Sequence, residues 1–132
     1  MTTEAHLTDL QLAIVRVLWE RGECSVVEVQ EALLPERQLA QTTVATILSR
    51  LEKRGVVSHR AEGRLFLYRA AVSESQVRRT MVSELTDMLF DGRPEALISH
   101  LLSERQIEPG DLDEVKRLIA EAERRDNGRQ PR

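Results

Sequence analysis

Three sets of residues in this chain have the types and spacing for chemistry. The carboxylates Asp111, Asp113 and Glu114 stand close enough to pair as acid and base. They also open an amphipathic run, where acids simply complement the positive end of a helix. Cys24, His6, His59 and His100 are scattered, without the spacing of metal ligands. No nucleophile lies beside a base, and no glycine-rich phosphate loop is present. The third set is "QTTVATILSRLEKRGVVSHR", residues 41–60, where threonines and basic residues accompany an apolar stripe. Hydroxyls and guanidinium groups bind anions and hydrogen-bonding surfaces. The expectation is therefore a binding protein with no catalytic residue, metal or cofactor.

At about 100° per residue, Val44, Ile47, Leu48 and Leu51 share one arc of a helix. Thr43, Thr46, Arg50 and Lys53 fall on roughly the opposite side, which carries no acid, and Glu52 lies between the arcs. Thr42 is the expected N-cap and Gly55 the C-terminal stop. Such a face suits the major groove, where hydroxyls and cations address base edges and phosphates together. The helix N-terminal amides would favour a phosphate. A solvated amphipathic helix with an ordinary cap would read the same way.

Beyond Gly55 the period changes. Val57, His59 and Ala61 alternate with Ser58, Arg60 and Glu62, and Phe66 and Tyr68 alternate with Leu65 and Leu67. This predicts a β-hairpin turning at Gly63. Arg60 and Arg64 flank the turn "AEG", where a wing would meet the DNA backbone or minor groove. Arg69, at the far end, is placed either to contact phosphate or to pair with an acid. Phe66 and Tyr68 are expected to pack inward, and Trp19 to anchor the first helix against the hairpin. Cys24 is expected to be exposed.

The elements that must position these residues are legible. "LTDLQLAIVRVLWERG" is a helix with a Thr8/Gln11 capping box, ended by Gly22. "SVVEVQEALLPE" is a shorter helix with a Ser25/Glu28 box, limited by Pro35. Helix, helix, helix and hairpin is the order of a winged helix-turn-helix. The charge distribution agrees with it. Residues 1–36 hold two arginines against seven acids, whereas residues 37–69 hold seven basic residues against two acids. The overall charge of −3 conceals this basic block.

Three further helices follow. Ser73 and Gln76 cap one carrying Val77, Met81, Leu85, Met88 and Leu89. Pro94 opens another, with Leu97, Ile98, Leu101 and Leu102. Asp111 and Glu114 cap the last, with Leu112, Val115, Leu118, Ile119 and Ala122. So much apolar face in about 60 residues needs a partner or an internal three-helix core. The expected dimer contact is Met81, Leu85, Met88, Leu89, Leu97, Leu101, Leu118 and Ile119. Two reading heads then match a palindrome in double-stranded DNA. The expected organisation is a DNA-binding domain over 1–71, a helical dimerisation domain over 72–127 and a disordered tail over 128–132. The fold class is mainly α with a small β-hairpin. The beginning is polar and acidic, and no apolar run approaches the roughly 18 residues of a membrane span, so a cytoplasmic protein without membrane insertion is expected.

The segments "LTDLQLAIVRVLWERG", "TTVATILSRLEKRGVVSHRAEGRLFLYR", "FDGRPEALISHLL" and "LDEVKRLI" resemble the penicillinase-repressor family, which includes methicillin-resistance and copper-transport repressors. The resemblance runs from about residue 7 to residue 122. It implies a homodimeric winged-helix repressor on a palindromic operator. In antibiotic-responsive members a membrane sensor metalloprotease leads to cleavage in the dimerisation domain. The family's reading positions carry over to Thr43, Thr46 and Arg50, and its wing positions to Arg60 and Arg64. The Asn-Phe bond cleaved in staphylococcal members matches His100–Leu101 here, which has neither residue. The copper branch's C-terminal cysteine motif has no counterpart in "AEAERRDNGRQPR". Beside repression, the residues leave open a non-repressing DNA-binding module, activator or architectural, and a protein-interaction adaptor on the same fold.

Overall fold

The computed structural model describes residues 6–104 and 107–129. Helix α1 (Asp9–Arg21) starts at the expected capping box. The Gln11 amide donates to Thr8 Oγ1 at 3.3 Å, and the Thr8 amide donates to Gln11 Oε1 at 3.0 Å. Two otherwise orphaned amides are thereby satisfied. Helix α2 (Val26–Leu33) repeats the device with Ser25 and Glu28. Ile14, Val15, Val29 and Leu33 turn inward from this pair.

Helix α3 (Gln41–Lys53) begins two residues earlier than the sequence implies. Its N-cap is Ala40, not Thr42, and no side chain caps it. The Gln30 amide group donates to the Leu39 carbonyl at 2.9 Å and fixes the approach from another helix. Thr42 therefore lies in the exposed first turn. The helix ends at Gly55, whose φ of +82° favours glycine. The Gly55 amide donates to the Glu52 carbonyl and the Val56 amide to the Leu51 carbonyl, a Schellman pattern. Val56 and Leu51 are both fully buried beneath it.

Strands β1 (Val57–Glu62) and β2 (Leu65–Ala70) pair antiparallel, with His59 opposite Tyr68 and Glu62 opposite Leu65. The turn is thus Gly63–Arg64, with positive φ at Gly63 alone, as in a type II′ turn. Arg64 sits on the turn itself rather than beside it. Cys24 joins the outer side of β2. Its amide donates to the Tyr68 carbonyl at 2.9 Å, and the Tyr68 amide donates back at 2.8 Å. This pairing buries Cys24, against the expectation of exposure, and burial pushes its thiol pKa up.

Helix α4 (Glu74–Phe90) begins at the expected Ser73/Gln76 cap. It ends at Asp91 and Gly92, both left-handed, with φ of 53° and 73°. Helix α5 (Pro94–Ser103) carries proline at its first position. Helix α6 (Pro109–Arg129) starts ahead of Asp111, which lies in its first turn instead of capping it. It also runs through residues 128 and 129, part of the expected disordered tail; residues 130–132 lie outside the described residues.

The chain divides into two compact units between Leu85 and Thr86, within α4. The reason is packing. Val77 is buried in the first unit's core, and Met81 packs against that core. The core is a layer of α1, α2 and α3 closed by the hairpin, with Leu7, Ile14, Val15, Val44, Leu48, Leu51 and Val57 at its centre. Trp19 is half-buried, and its indole N–H donates to the Val72 carbonyl at 2.9 Å, just past the hairpin.

Candidate nucleic-acid interface

The α3 arcs are as expected. Val44, Leu48 and Leu51 are fully buried and Ile47 is half-buried. Thr42, Thr43, Thr46, Arg50 and Lys53 are exposed. Arg50 and Lys53 make no ion pair among the described residues. The first turn of α3 holds no acid, so its amides face solvent with their partial positive charge intact.

The helix's one carboxylate is engaged elsewhere. Both oxygens of Glu52 lie 2.8 Å from Nδ1 of His59 on β1. The His59 ring stacks on Phe66 at 4.2 Å with a 22° interplanar angle. This contact ties the hairpin to the helix and removes the nearest negative charge from the outward face. Tyr68 packs inward as expected, but Phe66 stays about half exposed (47 %) because it covers His59 at the wing's surface.

The two wing arginines differ. Arg64 is exposed at the tip and makes no ion pair among the described residues. Arg60 holds Glu23 in a two-bond fork, Nε to Oε2 at 2.7 Å and Nη2 to Oε1 at 2.8 Å. The hydrogen bond from Arg60 holds the Glu23 carboxyl below its usual value and raises the guanidinium in turn. Arg60 is therefore a strut between the wing and the loop before α2, with about half of its side chain still exposed. Arg69 makes no ion pair among the described residues, although its charge adds to the lowering at Glu23.

Between the start of α2, Gln41 and the wing tip lies a cleft of about 260 Å³, lined in part by Val27, Arg64, Leu65 and Phe66. Sequence reasoning missed Gln41 and the exposed Leu65 as members of this surface. It also missed Arg54, which donates to Gln11 Oε1 at 3.3 Å and to the His6 carbonyl. Arg54 thus anchors the segment before α1.

The expected dimer residues also separate. Met81 is half-buried against the first unit's core, because the opening turns of α4 belong to that unit. Leu85, Met88, Leu89, Leu118 and Ile119 are exposed, Met88 most of all at 74 %. Leu97 and Leu101 are half-buried. Ile98, Leu102 and Leu112 are exposed too, and extend the apolar surface. His100 is exposed in α5, its ring 5.7 Å from that of Phe90.

A three-helix head with an unshielded third helix and a two-stranded wing defines a winged helix-turn-helix DNA-binding protein. The penicillinase repressor family matches residues 7–121, and the chain belongs to that family. It is 32 % identical to the transcriptional regulator BlaI of Mycobacterium tuberculosis, over 99 % of this chain and 95 % of that one. It is 24 % identical to the penicillinase repressor of Bacillus licheniformis, over 91 % and 94 % respectively. Among solved structures it resembles the DNA-binding domain of the repressor BlaI, at 31 % identity and a TM-score of 0.50, covering 57 % of this chain and 92 % of that one. Among the described residues no helix is long and apolar enough to cross a membrane, and no cluster of three or more His, Cys, Asp or Glu is placed to hold a metal.

Proposed function

We propose that this protein is a homodimeric transcriptional repressor that occupies a palindromic operator in double-stranded DNA and excludes polymerase from the promoter. One observation carries the reading. The outward side of α3 presents Thr43, Thr46 and Arg50 with no acid among them, because Glu52 is held by His59. Thr42 and Lys53 flank these residues for phosphate contact, and Arg64 reaches out from the wing. Arg60 supports the wing through Glu23. The exposed faces of α4, α5 and α6 supply the dimer contact. A cytoplasmic location follows from the DNA partner.

The relatives' names support β-lactam or cell-wall-stress genes as the regulated class. Membership of the penicillinase repressor family makes a membrane sensor protease the proposed upstream partner. Cleavage at His100–Leu101 would cut α5, a helix that must open locally before a protease can engage it. Cutting there would separate α6 from the rest of the chain and lower operator occupancy by loss of the dimer.

The test is an operator titration at several salt concentrations. Arg50→Ala is expected to cost about 1–3 kcal/mol and to reduce discrimination between operator and random DNA. Arg64→Ala is expected to weaken all sequences alike and to lower the salt slope by about one. Unchanged binding by both variants would remove α3 and the wing from the interface. A reporter activated rather than silenced by the protein would overturn repression while leaving DNA binding intact.

A further inference from the structure

Helix α1 has two working faces. Ile14, Val15 and Leu18 enter the core, whereas Leu12, Arg16 and Trp19 point toward the first turns of α4. Across from them, Val77 and Met81 present an apolar wall and Arg78 a cation. Between the two helices is a cleft of about 210 Å³ that no described side chain fills. The cleft opens to solvent, and its lining is mostly apolar. Its Trp19 wall is rigid, since the indole N–H is committed to the Val72 carbonyl at 2.9 Å. The charge at its mouth is lopsided. Arg78 is shared with Glu74 at 3.3 Å, but Arg16 makes no ion pair among the described residues. An apolar floor with an uncompensated guanidinium at the rim is complementary to a small molecule with an apolar body and one carboxylate. The volume lies below that of drug-sized pockets and suits a single ring or a short acyl chain.

We propose that the α1–α4 cleft is a binding site for a small amphiphilic carboxylate, its apolar body against Trp19 and its carboxylate on Arg16. The site is independent of the repressor reading. Its consequence for operator binding rests on that reading: α4 continues past Leu85, so an occupant fixing α4 against α1 acts on the helix that leaves the reading head.

Trp19 is the chain's single tryptophan, so its fluorescence reports the cleft directly. The full chain, without DNA, is titrated with phenylacetate and with neutral phenylacetamide, and Arg16→Gln is titrated in parallel. Arg16 is exposed on α1, and its replacement leaves the core untouched. The expected result is a saturable change with phenylacetate, about tenfold weaker for the amide and about tenfold weaker for Arg16→Gln. No saturable change up to about 10 mM would overturn the site. Equal binding of acid and amide, or an Arg16→Gln titration that matches the parent, would overturn the carboxylate assignment. Because DNA is absent, a failed repressor reading would leave this result unaffected.

Discussion

The two units of this chain solve the burial problem in opposite ways. The first, ending at Leu85, keeps an apolar interior in which Ile14, Val15, Val29, Val44, Leu48, Leu51 and Val56 are fully buried. In the second, no hydrophobic residue among those described is buried; Thr86 is its one buried side chain. Yet its helices are no less apolar in pattern, with Met88, Leu89, Ile98, Leu118 and Ile119 all about half exposed or more. The difference shows where the hydrophobic driving force is spent. One unit uses it to hold a shape by itself. The other leaves it exposed, and in the proposed dimer a second chain would cover it, at roughly 1.5–3 kcal/mol for each large side chain covered.

The sharpest way to break this contrast is to place a charge on the open face. Met88→Asp would cost almost nothing if the side chain stayed in water. If the face closes against a partner, the variant becomes a single chain in sedimentation, and operator affinity falls about 100-fold or more as two-headed binding is lost. An unchanged mass would refute the contrast. A smaller effect distinguishes the units by concentration. Leu48→Ala removes a fully buried side chain and should destabilise the reading head by about 2–5 kcal/mol, independent of protein concentration. Leu118→Ala should show a cost in urea unfolding that is largest where the parent chain is fully paired and shrinks as both proteins are diluted below the dissociation constant of the pair.

The smallest expected effect lies within the first unit. The folded Glu23 carboxyl is held below its ordinary value of 4.5 by Arg60. A lowered folded pKa means that the strut's contribution is complete above about pH 4.5 and is lost as the pH falls through the lowered value. Acid unfolding of Glu23→Gln should therefore show a shallower pH dependence in that window, with little change near neutrality. An identical acid profile would show that the fork contributes nothing measurable.

Local chemistry made much of this structure legible in the sequence. The boxes at Thr8, Ser25 and Ser73 are each set by a residue three positions on, and the sides of α3 follow from helical spacing alone. The misreadings depend on neighbours far along the chain. Ala40 became the cap because Gln30 fixes the Leu39 carbonyl. Cys24 is buried by a backbone pairing with Tyr68, 44 positions away. Met81 shows the limit of pattern reading most clearly. A stripe identifies the apolar side of a helix but not which neighbour covers it. In α4 the covering surface changes part-way along, from the core that takes Val77 and Met81 to the open face of Met88 and Leu89.

The coreless second unit gives the proposed repressor a particular dose response. Where the competent species forms only by pairing, its abundance in the dilute regime rises with the square of the supply of chains. A modest drop in synthesis, or cutting a fraction of the pool, would then vacate operators out of proportion to the chains lost.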